Sequence, residues 1–229
     1  MNAEVAAGTL LVLAPLWFNA TFTLLAKRFD YPDILRRPTE EILERFRAGG
    51  ASLILTWWAF MLSGLLFVGA AVLLSQALGS GGILPVATTI GVLAGLVQVL
   101  GLLRWVYLVP SLARTHADPQ TTPAHREATK AIFRAFHQYL GIGIGEHLGY
   151  LLTGVWSILV GIAVALGSPP LPVWLGWPGV VIGAGLAVSS VEFLGPNEER
   201  GWAPADAATP VLYVAWSIWL LTMGIALIA

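Results

Sequence analysis

Charged and apolar positions are sharply segregated along this chain. Four stretches, residues 5 to 26, 48 to 103, 148 to 191 and 207 to 229, contain no Asp, Glu, Lys or Arg. Each is long enough to cross a bilayer, since a spanning helix needs about 20 apolar residues. The second stretch is interrupted by Gly79-Ser80-Gly81-Gly82 and the third by Gly167-Ser168-Pro169-Pro170, residues that end helices and reverse the chain. Both therefore read as helical hairpins. The pattern predicts six spans, near residues 4 to 26, 51 to 77, 85 to 110, 140 to 166, 172 to 194 and 208 to 228. The segments are continuously apolar, whereas barrel strands alternate over about ten residues, so the expected fold is all-α and polytopic, a single six-helix transmembrane domain over 1–229.

Two polar segments carry helical periodicity of their own. After Tyr31-Pro32-Asp33, Ile42, Leu43 and Phe46 share a face opposite Glu40, Glu41, Glu44 and Arg47, with Thr39 placed to cap. Between the third and fourth spans, Thr122 caps, Pro123 takes the first helical position, and Ile132, Phe133, Phe136, Tyr139 and Leu140 form an apolar stripe. Both predict amphipathic helices at the membrane surface.

Composition agrees with lipid as the solvent: 57% of residues are hydrophobic and 11% charged, against roughly 45–50% and 25% in soluble domains. The placement of the twelve Lys and Arg sets the expected orientation. Lys27, Arg28, Arg36, Arg37, Arg45 and Arg47 follow span one, Arg114, Arg126, Lys130 and Arg134 follow span three, and Arg200 follows span five. Arg104 lies inside span three, towards the same end. The intervening loops carry none, so the positive-inside rule places the three charged loops in the cytoplasm and both termini outside. Glu4 and the absence of a basic start argue for an uncleaved first helix rather than a secretory signal. Without cysteine, thiolate chemistry, disulfides and iron–sulfur ligation are excluded. No sustained basic patch suits nucleic acid.

Ionisable groups within spans are costly and mark candidate sites. Three are present, Arg104, Glu146 and Glu192. With His147, Asn19 and the pair Trp57-Trp58, they fall in the cytoplasmic half of the bilayer. Opposite charges in low dielectric are expected to pair, Arg104 with Glu146 and with Glu192 as a second partner. The layer thus supports two readings, a structural ion pair or a pocket in which Glu146 or His147 handles a proton and Arg104 holds an anionic group. Gly141, Gly145 and Gly149, four apart, predict close packing of span four on a neighbour. His137 and His147 are ten residues apart, too far to share an ion on one regular helix, and His116 and His125 lack ligand spacing, so no metal is assigned. No cofactor is required by the sequence; a haem on His147 alone is left open. No nucleophile motif or phosphate loop points to catalysis, and the question of an enzyme stays open.

Three segments, Phe29 to Leu35 running on through Arg45-Phe46-Arg47-Ala48-Gly49-Gly50, Leu102-Leu103-Arg104-Trp105 through Pro110, and Gly145-Glu146-His147-Leu148-Gly149 through Trp156, resemble the bacterial family named domain of unknown function 4386. The resemblance covers most of the chain and implies a six-helix inner-membrane protein without an assigned activity. Two functions follow as expectations. One is a buried polar site for a lipophilic or amphiphilic small molecule in the cytoplasmic half of the bundle. The alternative is a non-catalytic accessory or sensor subunit that meets a membrane partner or a second copy of itself.

Overall fold

A computed structural model describes residues 2–79 and 81–229, and over these the chain is helical without strands; Ser80, in the first predicted turn, lies outside the described residues. Six helices follow one another: α1 (Ala3–Phe29), α2 (Thr39–Ala77), α3 (Leu84–Ala117), α4 (Pro123–Ala165), α5 (Val173–Ser189) and α6 (Ala203–Ile228). Five have the length and apolarity to cross a membrane. The shorter apolar α5, at 1.5 Å per residue, is about 26 Å long, close to the ~30 Å of the hydrocarbon layer. The chain is a multi-pass membrane protein. Each helix packs on the next, and α6 returns to α1, so the six close into a ring.

Local chemistry sets the helix ends. The Asn2 side chain accepts from the Glu4 N–H at 2.7 Å and starts α1. Asp30 ends it in the left-handed region at φ 58°, its N–H bonded to the Ala26 carbonyl. A short 3-10 turn, Asp33–Arg36, then buries Ile34 completely. Thr122 caps α4 as the sequence predicts, accepting from the His125 N–H at 3.3 Å. Thr39 does not cap α2. It is the first helical residue, preceded by Pro38, and no side chain caps that end.

The two amphipathic segments are present, each continuous with the span that follows. In α2 the junction is a kink at Gly50, whose φ of 56° and ψ of −153° suit a residue without Cβ. The face of Ile42, Leu43 and Phe46 is buried against protein, beside Phe29, Trp57 and Trp105. The stripe on α4 divides. Phe133 is buried against Trp105, while Ile132, Phe136 and Tyr139 face outward.

Two apolar clusters hold the ring. One joins Leu11, Phe67, Leu74, Trp156, Val160, Trp216 and Leu220, towards the chain termini. The other, at the end bearing the charged loops, is aromatic. Trp57 stacks on Trp105 with centroids 4.6 Å apart and planes 8° from parallel, and Phe29 and Phe46 close around them. Outside this cluster, ion pairs tie the charged segments together. Lys130 reaches Glu40 and Glu127, each at 2.5 Å, Arg37 bridges Glu41 and Asp30, and Arg36 bonds Asp206 at the start of α6. Residues of α1, α2, α3, α4 and α6, with Tyr31 and Pro32 of the loop after α1, line a cavity.

Candidate functional site

Two departures from regular helix meet at this level. Arg104–Leu108 in α3 and His137–Leu148 in α4 are π-helical, with a wider turn than the α-helix on either side. Such stretches re-aim side chains and recur at functional sites. The second packs on α3 just before the first, across a close glycine contact. A Cβ on Gly101 would lie 2.7 Å from the Gly145 Cα and 2.9 Å from the Leu140 carbonyl oxygen, so only glycine allows this approach. One turn along, Gly141 leaves room for a guanidinium, since a Cβ there would sit 2.7 Å from Arg104 Nη2.

Arg104 is 6% exposed and lies within a membrane helix. Of its five N–H donors, one group is satisfied: Nη1 donates to the carbonyl of Gly101. Its Nε has no partner, and among the described residues no carboxylate lies within ion-pair distance. The Trp105 ring, 5.2 Å from the guanidinium carbon, adds a cation–π contact. The expected salt bridge to Glu146 is therefore not formed. Both side chains border one open space, and neither forms an ion pair among the described residues.

That space is a cavity of about 240 Å³. Its polar wall is Arg104, Gln98, Glu146, Tyr150 and Asn19, and its aromatic wall is Phe18, Phe22, Tyr31, Phe60 and Tyr213. Gln98 is held by Thr153 at 3.1 Å, and Asn19 donates to the Pro15 carbonyl at 2.7 Å and to Ser217 Oγ at 2.9 Å. Pro32, Pro210 and Val214 are the exposed members of the lining and mark its mouth, between the charged-loop ends of α1 and α6. Those two helices touch at the opposite end, where Gly8 and Gly224 meet backbone to backbone.

The predicted site residues separate into two groups. Arg104, Glu146 and Asn19 line the cavity, whereas His147 and Glu192 do not. Nδ1 of His147 donates to the Ser190 carbonyl at 2.8 Å, which turns the ring towards a narrower cleft of about 130 Å³ beside Glu192, Ser190 and Phe193. Glu192 is not a second partner for Arg104. The chain leaves helical conformation after Ser189, and the turn that follows brings Glu192 to 3.9 Å from Arg36. Glu146 and Tyr150 border both spaces, so the carboxylate stands in the wall between them. His137 instead stacks on Phe133 at 5.6 Å.

Six polar lining residues, Gln98, Tyr150, Tyr31, Tyr213, Ser63 and Thr209, are not among the candidates that the sequence singles out. Gln98 is an amide in mid-span, six residues before Arg104, and Tyr150 is one helical turn after Glu146, so both carry a signal. Tyr31 and Tyr213 become neighbours of the site only through the loop that follows α1 and the return of α6.

The family model described as Domain of unknown function (DUF4386) matches residues 6–224, the same family that the three segments resemble. No curated protein and no solved structure matches the chain.

Proposed function

The chain belongs to the DUF4386 family, and we propose that it binds an amphiphilic small molecule whose polar head occupies the cavity between Arg104 and Glu146. One observation carries this reading. A guanidinium buried within a membrane helix has no ion pair among the described residues and borders a cavity. An uncompensated charge in low dielectric is strongly unfavourable, and a polar head at the cavity removes that penalty. The aromatic wall and the mouth between α1 and α6 suit a ligand that is apolar behind its head.

We also place the protein in a bacterial inner membrane with both termini outside, which the grouping of Lys and Arg in alternate loops supports. The cavity then opens at the level of the cytoplasmic leaflet. Native mass spectrometry of the protein released from mild detergent tests the ligand directly. An adduct of lipid mass is expected on the wild type and lost in Arg104→Gln. Identical spectra for the two would refute the proposal.

A further inference from the structure

The site contains two opposite charges, and that restricts the head it accepts. Arg104 and Glu146 both face the cavity, and neither has an ionic partner within 4 Å among the described residues. A purely anionic head would compensate the arginine and leave the glutamate buried beside another negative charge. A purely cationic head would do the reverse. Like-charge juxtaposition and stranded buried charges are both costly. A head with a negative group at one end and a positive group at the other satisfies both.

We infer that the ligand is zwitterionic, with a phosphate or carboxylate on Arg104 and an ammonium group against Glu146; this deepens, and rests on, the amphiphile-site reading. The surroundings of Glu146 fit a cation. Tyr150 lies one turn further along the same helix, and its ring meets that of Tyr213 with centroids 5.5 Å apart. Tyrosine faces attract an ammonium, and their hydroxyls can accept from it. The arginine end fits an oxyanion, because a guanidinium binds phosphate or carboxylate through paired N–H groups and Arg104 lines the cavity without an ion pair among the described residues. The 240 Å³ of the cavity equals about eight water volumes at ~30 Å³ each, room for a phosphoethanolamine-sized head with the remainder of the molecule outside the mouth. The same chemistry is offered by a phospholipid head and by a free phosphoamine.

The test uses the full-length protein in detergent stripped of lipid, with Tm as the readout. Five probes are added separately: phosphatidylethanolamine, phosphatidylglycerol, a diacyl trimethylammonium lipid, diacylglycerol and soluble phosphoethanolamine. The expected result is a rise of about 5 °C or more with phosphatidylethanolamine at saturation, and little change with the three lipids that lack one or both charges. In Glu146→Gln the preference should move to phosphatidylglycerol, since only the arginine then needs a partner. A shift with the lipid but not with soluble phosphoethanolamine assigns a membrane source, and a shift with both assigns the same head chemistry to a soluble ligand as well. If phosphatidylglycerol stabilises the wild type as well as phosphatidylethanolamine does, the zwitterion rule is overturned while the amphiphile site stands. If no probe acts on the wild type, and Arg104→Gln behaves identically, the site itself is refuted. The wild-type panel decides the charge rule even where Glu146→Gln does not accumulate.

Discussion

Two alanine substitutions, one on α3 and one on α4, should separate packing from site geometry. At Gly101 the new Cβ would lie 2.7 Å from the Gly145 Cα and 2.9 Å from the Leu140 carbonyl oxygen, both backbone atoms. Carbon atoms in contact sit about 3.5–4.0 Å apart, so α3 and α4 must separate locally by about 1 Å. Overpacking of this kind costs about 1–3 kcal/mol. For a chain of this size that corresponds to a fall in Tm of roughly 2–12 °C. At Gly141 the nearest atoms, Arg104 Nη2 at 2.7 Å and Cζ at 2.9 Å, belong to the end of a flexible side chain with open space before it. The guanidinium can swing into the cavity, and the predicted cost is below about 1 kcal/mol. Thermal unfolding in detergent checks the stability arm, and lipid-adduct mass spectrometry checks binding. Gly101→Ala should lower Tm, whereas Gly141→Ala should keep Tm within about 3 °C of wild type and lose most of its adduct. A larger Tm loss in Gly141→Ala than in Gly101→Ala would refute the reasoning, as would full retention of the adduct in Gly141→Ala.

Further outcomes follow from the same geometry. Arg104→Met removes a buried charge without a protein counter-ion, so the lipid-free protein should be as stable as wild type or more so, while stabilisation by added lipid disappears; a large loss in the lipid-free state would instead indicate a structural role. Trp105→Ala empties the centre of the aromatic cluster, where Trp105 is fully buried and stacked on Trp57, and should cost about 3–5 kcal/mol in detergent unfolding. Glu40→Gln breaks the half-buried bond to Lys130, which holds the Glu40 carboxyl below the usual carboxylate range. A depressed acid contributes stability above its unfolded pKa and loses it as pH falls through the folded value, so the small Tm deficit of this variant should be present at pH 7 and absent once wild-type Glu40 is protonated. The native chain has no cysteine, so Ser168→Cys should react with an impermeant maleimide from outside intact cells and Gln120→Cys only after permeabilisation; the reverse pattern would invert the proposed orientation.

The spans are legible in the sequence because the code is simple at that level. Uncharged length implies a crossing, and Gly-Pro clusters imply reversals. The amphipathic segments are legible for a related reason, since Ile42, Leu43 and Phe46 recur at helical spacing. What covers that face is not encoded locally, because burial against Trp57 and Trp105 depends on the kink at Gly50. Arg104 and Glu146 stand out as charges in apolar runs. Their failure to pair does not, because spacing along two helices says nothing of the π-helical stretches that re-aim both residues. Glu192 and His147 share the depth of the layer but not the cavity. Glu192 lies beyond the end of α5, and the Ser190 carbonyl turns the His147 ring away from the arginine. The aromatic wall is assembled from α1, α2, α6 and the loop after α1, a combination that only ring closure between α6 and α1 brings together.

The proposed site requires Arg104 to hold something other than protein. An experimental structure in nanodiscs of native lipid tests that most directly. The expected result is non-protein density against the guanidinium of Arg104, continuous with a tail that leaves between α1 and α6. Direct contact between Arg104 and Glu146, with no void beside them, would contradict it.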